Sequence, residues 1–521
     1  MTDSRTPSAP VETAGLFLKG CVLFLLSVGV GLLAAQKLNL GNVPGMVVGA
    51  SIFGVGAYAL MNLRDTPPAL WMVFSLKLFT VIAYKLITVV LVSFLMKDCG
   101  ISDANAQWIF GIWGMFMSIA TLLAGSLTDA LGLRRTLLTG IVLCLVTRVV
   151  LLCSGNSAVV LLLGLIPLAV GEALCTPVLV AATRKYTNAA QRSVAFSVFY
   201  AILNLGFMFA YFIRDGVQTE AVQVGEVFHI AGFALSPQRL LFLVSVSIEA
   251  LALPFILMLR NDGGSVKTGS SWSATLTSAA VETGRLFGTL VRHPAFRRLL
   301  IFLLMIGLLK IVFNIMDAVL PTFAEREIGA EGAKSVGRLN AVNSILILVL
   351  APLVGTLTRK LPAYSMVILG GFITAASFTF MVMPAGNFQG LVESPFGAWF
   401  GHEYLRLSGV IHPYLIMILL WQVVFSIGEA FYSPRVYEYA VSIAPKGQEA
   451  SYASLSAVPL LMGKLINSAA FAGLLTQFCP AVGPRDPGKM WLIVGLLVLV
   501  APVGLLVFRR FIQVPEEGRE A

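Results

Sequence analysis

Among the ionisable side chains inside long apolar runs of this 521-residue chain, nine are candidates for function: Lys77, Lys85, Arg148, Glu172, Glu249, Lys310, Asp317, Glu429 and Lys464. An ionised group at the middle of a membrane helix costs about 2.5–3.5 kcal/mol on insertion scales, so such residues persist where they face a wet space or an opposite charge. The chemistry open to them is the binding of charged solutes and the uptake and release of protons, because burial makes a carboxyl group easier to protonate. Lys310, Asn314 and Asp317 stand at i, i+4 and i+7, which places them on one face of a helix. That face reads either as an internal ion pair or as the wall or gate of a cavity. Lys77, Tyr84 and Lys85 fall near one side of their helix. Its two lysines either attract an anionic solute group or snorkel to an interface. Glu429, shortly before Pro434, is the foremost candidate for proton coupling, with a bridge to Lys77 or Lys85 as the structural alternative. Glu172 is the second candidate, and Glu249, Arg148 and Lys464 fit ion pairs as readily as function.

The elements that carry these groups are set by composition. Hydrophobic residues make up 57% of the chain and charged ones 12%, about half the charged share of a soluble domain. That much apolar side chain needs lipid as its solvent. With a ruler of about 20 apolar residues per span, the sequence gives about fourteen candidate helices. They lie near 14–36, 44–62, 69–95, 105–127, 136–154, 157–182, 191–213, 239–259, 297–321, 337–358, 364–384, 411–434, 451–476 and 489–510. The runs are too long and too continuously apolar for strands of a barrel. The spacing divides them into an extra hairpin (14–68), a first set of six (69–260) and a second set of six (297–510). Tails at 1–13 and 511–521 and a linker at 261–296 complete the chain, and the later part of the linker suits an amphipathic helix or a flexible tether. The expected fold class is all-α integral membrane.

The net charge of +10 suggests nucleic acid only until the basic residues are placed. The pairs Arg134/Arg135, Arg184/Lys185, Arg297/Arg298, Arg359/Lys360 and Arg509/Arg510 all fall on one side of the spans. The positive-inside rule makes that side cytoplasmic, with both termini there, and the cell (inner) membrane is the expected location. The six cysteines and four histidines show no ligand spacing. No Ser/His/Asp arrangement and no phosphate loop stand out. Enzyme chemistry, a metal and a cofactor are not expected, nor is a nucleic-acid partner.

Between the second and third spans of the first six runs Gly125-Ser-Leu-Thr-Asp129-Ala-Leu-Gly132-Leu-Arg134-Arg135. A glycine lets two helices approach, an acid can face a helix N-terminus, a second glycine permits the tight turn, and the arginines hold the loop in the cytoplasm. The stretch resembles the loop motif of the major facilitator superfamily. The equivalent loop of the second six, Gly355-Thr-Leu-Thr-Arg359-Lys360, keeps the glycine and the basic pair but has Thr358 at the acid position. The resemblance implies the major facilitator fold, two related six-helix bundles, here with the extra N-terminal hairpin.

Further stretches resemble the proton-coupled oligopeptide transporter branch. They are Phe199-Tyr200-Ala-Ile-Leu-Asn204-Leu-Gly206, Leu339-Asn-Ala-Val-Asn343, Gly428-Glu429-Ala-Phe-Tyr-Ser433-Pro434 and Gly171-Glu172-Ala-Leu-Cys-Thr176-Pro177. Asn204 and Asn343 join the candidate substrate or coupling residues on this ground. Two departures stand against a peptide substrate. The branch's first-span pattern of two glutamates, an arginine and two tyrosines aligns with Lys77, Thr80, Val81, Tyr84 and Lys85, and its fourth-span lysine aligns with Thr176. The expected function is secondary active transport of a small polar or charged organic solute by alternating access, coupled to protons. A membrane solute sensor or scaffold on the same fold is the alternative.

Overall fold

The computed structural model describes residues 25, 27–32, 36, 42–223, 227–230, 232–259, 281, 294–358, 361–442, 471 and 473–513. Both expected tails (apart from a few residues near 513), most of the span 14–36, nearly all of the linker and most of the span 451–476 with Lys464 lie outside the described residues. Among the described residues, ten helices are long and apolar enough to cross a membrane by length and composition.

After the helix α1 (Asn42–Asn62) come α2 (Pro68–Thr88), α3 (Leu91–Lys97), α4 (Asp103–Leu131), α5 (Leu133–Cys153), α6 (Ile166–Ala173), α7 (Thr176–Lys185), α8 (Ala189–Gln223) and α9 (Pro237–Ala250). The second half contains α10 (Pro294–Asn314), α11 (Leu320–Glu327), α12 (Ala330–Leu357), α13 (Ala363–Ser377), α14 (Pro413–Ser442) and α15 (Pro487–Val507). A two-stranded hairpin pairs Phe228–Ile230 with Phe233–Leu235 ahead of α9. Proline at the first turn of α2, α7, α9 and α15 fits the position where a missing N–H is no loss.

Lipid is legible on the outer faces. Val142, Val146 and Val149 of α5 are exposed at 46%, 57% and 44%. Leu492, Leu496, Val500 and Val503 form the same kind of stripe along α15. Apolar side chains at helical spacing on the outside are stable only against hydrocarbon, so the chain is an integral membrane protein. Inside, the second half packs round Trp421, Trp491, Phe323 and Phe378, with ring centroids of Phe323 and Trp491 5.2 Å apart. The first half has its own core of Leu70, Phe74, Leu137 and Leu179. A third cluster joins first-half residues such as Leu205, Met208 and Phe212 to Ala341 and Leu348 of α12.

The helix ahead of the first half docks at the seam where the halves meet. The helix α1 packs against both α8 and α12, one from each half, with Val48 in the shared cluster. Its glycines meet the preceding helical segment: a Cβ on Gly49 would lie 2.8 Å from the Ser27 carbonyl, and one on Gly31 would lie 2.8 Å from that of Gly45. Only glycine allows backbones that close.

Candidate functional site

The first-half helices bring Lys77 and Lys85 to α8. Lys77 Nζ lies 4.7 Å from the centre of the Phe199 ring, and Lys85 Nζ lies 4.4 Å from that of Phe207 and 5.0 Å from that of Tyr211. Midway between the lysines, a Cβ on Gly206 would meet Val81 Cγ1 at 2.7 Å, so this glycine sets the approach of α2 and α8. Tyr84 stacks on Trp113 of α4, 6.4 Å between centroids, and lies within electrostatic reach of Glu172 and Asp317.

Lys85 reaches across the seam. Its ammonium donates to both oxygens of Asp317, at 2.7 and 2.8 Å, and Tyr211 Oη donates to the same carboxylate at 3.2 Å. Asp317 is thus paired with the opposite half and not with Lys310 on its own helix. A π turn at Ile315–Val319 slips the register between them. An extra residue in a turn rotates the side chains beyond it to a new face, and π turns recur at functional sites. Lys310 instead donates to Ser433 Oγ at 2.8 Å and lies against the rings of Phe313 and Tyr432. Asn314, in the turn between them, is buried.

Glu429 is 1% exposed. It accepts from Tyr200 Oη of the first half at 2.7 Å and from Asn343 Nδ2 at 2.8 Å, and Asn343 also donates to Ser426 at 3.0 Å. Among the described residues it forms no ion pair with Lys77 or Lys85. Asn204 caps inward on its own helix, donating to the Tyr200 carbonyl at 3.0 Å.

Glu172 has a different environment from Glu429 despite a matching local sequence. The stretches Gly171–Pro177 and Gly428–Pro434 are repeats, with Gly-Glu-Ala in each and Thr-Pro answering Ser-Pro. Their packing repeats as well. A Cβ on Gly140 would lie 3.0 Å from the Gly171 carbonyl, and one on Gly370 2.5 Å from that of Gly428. Eight residues after Gly140 stands Arg148, and eight after Gly370 stands Phe378. Arg148, fully buried, binds Glu172 at 2.5 Å and Glu249 at 3.1 Å. In the second half that arginine is an aromatic ring, so Glu429 has no such partner and faces the seam. Cys144, Cys175 and Glu249 place donor atoms within 4.8 Å of one another, but the acid of that group is already committed to Arg148.

At the end of the bundle where α3 terminates, further contacts tie the halves. Asp103 pairs with Arg326. Gln107 Nε2 donates to the Ala318 carbonyl at 3.2 Å. Asp215 of α8 accepts from the backbone N–H groups of Gly337 and Arg338 of α12 at 3.0 and 2.7 Å. A Cβ at Gly337 would crowd that carboxylate. Arg338 in turn donates to the carbonyl of Tyr404, a residue of the segment between α13 and α14 whose hydroxyl burial holds above its ordinary pKa. Sequence reading missed Tyr200, Tyr211, Ser433 and Asp215. Tyr200 and Ser433 lie inside quoted motifs, which was their available signal, and Tyr211 follows the motif of α8 by five residues.

The loop motif sits at the opposite end. Asp129 lies in the last turn of α4, and Gly132 adopts φ 83° between α4 and α5, where a non-glycine residue would be strained. Arg134 and Arg135 open α5, and Gly125 lies within α4.

The family model of the Major Facilitator Superfamily matches residues 73–401. The chain belongs to that superfamily. Dipeptide and tripeptide permease A of Pectobacterium carotovorum subsp. carotovorum (strain PC1) is 23% identical over 375 residues, 64% of this chain and 73% of the permease. The permeases of that name from Klebsiella pneumoniae (strain 342) and Escherichia coli (strain K12) are each 24% identical over 153 residues, so the match spans only 30% and 31% of their lengths. Among solved structures, a mutant of peptide transporter POT in complex with alafosfalin superposes with a TM-score of 0.64 at 18% identity, covering 87% of this chain and 96% of that one. A POT family transporter in complex with 5-aminolevulinic acid gives 0.63 at 18%, covering 86% and 97%. These likenesses show the major facilitator fold. In this superfamily member the seam described above is the interface of the two bundles, and Lys85–Asp317 and Tyr200–Glu429 cross it.

Proposed function

We propose that the chain is a secondary active transporter that moves a small polar or charged organic solute between its two bundles by alternating access, driven by protons. The observation that carries this reading is the buried Lys85–Asp317 pair, one partner from each half. A buried ion pair is weak evidence of stability, because desolvation offsets much of its attraction, and its best-attested use is as a switch. Loss of the pair removes one of the ties that cross the seam, and release of such ties is what rocking of the bundles requires. Glu429 supports the same reading: it is a second carboxyl group on the seam, hydrogen-bonded by neutral donors with the Lys310 ammonium acting from beyond ion-pair distance. The ties gathered at the α3 end describe a conformation closed on that side. With the basic pairs in the cytoplasm, that side is the exterior, both termini are cytoplasmic and the inner membrane is the location.

The relatives' names make a peptide-like solute the first one to try. The lysines at 77 and 85 and threonine at 80 and 176 favour other organic ions. The sensor alternative has its support in the α1 helix, which spans both halves and fits a brace as well as a lever. Proteoliposomes with an imposed proton gradient separate the two: accumulation of a radiolabelled solute supports transport, and ligand-induced stabilisation with no flux across a broad panel overturns it.

A further inference from the structure

The buried cations of the described spans mostly have acidic or carbonyl partners: Arg214 and Arg338 lie against Asp215, and Arg435 donates to the Thr358 carbonyl. Lys85 is bound to Asp317, and Arg148 to Glu172 and Glu249. Lys77 and Lys310 are different. Each is buried, at 2% and 8% exposure, and neither has a carboxylate of the described residues within ion-pair distance. Their surroundings are ring faces: Phe199 for Lys77, and Phe313 and Tyr432 for Lys310. Ser433 takes one of the three protons on the Lys310 ammonium. Glu172 acts on Lys77, and Glu429 on Lys310, only from beyond ion-pair distance. An ammonium held away from water with no counter-charge in contact is costly, and cation–π contact recovers only part of that cost.

The two are placed alike. Lys77 belongs to the helix that opens the first half and Lys310 to the helix that opens the second. Their contact residues adjoin the two ends of the Tyr200–Glu429 bond. Phe199, beneath Lys77, is the residue before Tyr200, and Ser433, bound by Lys310, is one turn after Glu429. A neutral guest leaves both ammonium groups without a counter-charge in contact, and a guest with one acidic group supplies it to one of them. We propose that Lys77 and Lys310 receive a doubly acidic organic anion, one acidic group on each, so that the solute itself ties the two halves together. This rests on the transport reading and supplies its substrate class. It also gives a reason for closure around the solute: the guest makes its full set of contacts only when both bundles face it.

The test uses the purified full-length chain and the α,ω-dicarboxylates malonate, succinate, glutarate and adipate, with butanoate and dialanine as controls. Thermal-shift titration is expected to show one dicarboxylate half-saturating at a concentration about tenfold or more below that of butanoate. Lys77→Gln and Lys310→Gln are each expected to raise that concentration by about tenfold or more, while Lys77→Arg, which keeps the charge, retains binding and shows that the site folds. Dicarboxylates that bind no better than butanoate, or whose binding ignores both glutamine variants, overturn the proposal. Counterflow in proteoliposomes separates it from the reading beneath it. Lysine-dependent dicarboxylate binding with no exchange of any solute keeps the anion site and sinks transport. Exchange of dialanine without binding or competition by any dicarboxylate keeps transport and sinks the anion site.

Discussion

Lys85 and Asp317 meet at 2.7 Å, although 232 residues separate them and they belong to different bundles. Reversing the pair tests whether the contact matters as a contact. Lys85→Gln and Asp317→Asn are each expected to lower uptake by about tenfold or more, and the exchanged pair Lys85→Asp with Asp317→Lys to recover part of it. A coupling energy of about 1.4 kcal/mol corresponds to one factor of ten. Initial rates in proteoliposomes for the unaltered chain, the two single variants and the double variant Lys85→Gln with Asp317→Asn give that energy directly, and strictly additive losses would assign the two residues separate roles.

Glu429 is expected to link solute movement to protons. Glu429→Gln keeps the acceptor oxygen for one neighbour and removes the titrating group. Gradient-driven accumulation should vanish while counterflow persists. Unchanged accumulation removes Glu429 from coupling. Tyr200→Phe deletes one neutral hydrogen bond, worth about 0.5–1.5 kcal/mol, and should alter rates only a few-fold with the proton dependence intact.

Arg148 holds two carboxylates in the core of the first half. Its replacement by methionine leaves them facing each other without a cation, an error of about 3–5 kcal/mol for a broken buried pair. A lower melting temperature is the expected result. The triple variant with Glu172→Gln and Glu249→Gln should regain much of it, since no charge is then stranded. A triple variant as unstable as the single one would assign Arg148 a packing role.

Gly337 lets Asp215 reach the backbone of α12. Gly337→Ala pushes a methyl group into that carboxylate and should loosen the closed end. Labelling of a cysteine introduced at Gln107 by a membrane-impermeant maleimide should then be faster than in the Gly337 background. Equal rates would show that the clamp does not hold the seam.

The length and apolarity of the runs determined that this chain spans a membrane many times, because no single soluble core could bury 57% hydrophobic residues. The Gly125–Arg135 loop motif determined the superfamily, since turn, close approach and charge all depend on local sequence. Burial of Lys77, Lys85, Glu172 and Glu429 also followed from the energetics of each helix alone. Partner choice did not. The i, i+7 spacing of Lys310 and Asp317 points to one shared face, and a π turn of five residues gives them different neighbours. Gly171–Pro177 and Gly428–Pro434 look equivalent as strings, yet one glutamate is bound by an arginine and the other faces the seam. That difference comes from Arg148 and Phe378 on neighbouring helices, and from α8 of the first half meeting α14 of the second. A helix fixes its own faces by its period. Which face meets which depends on how two bundles pack, and only the tertiary structure holds that information.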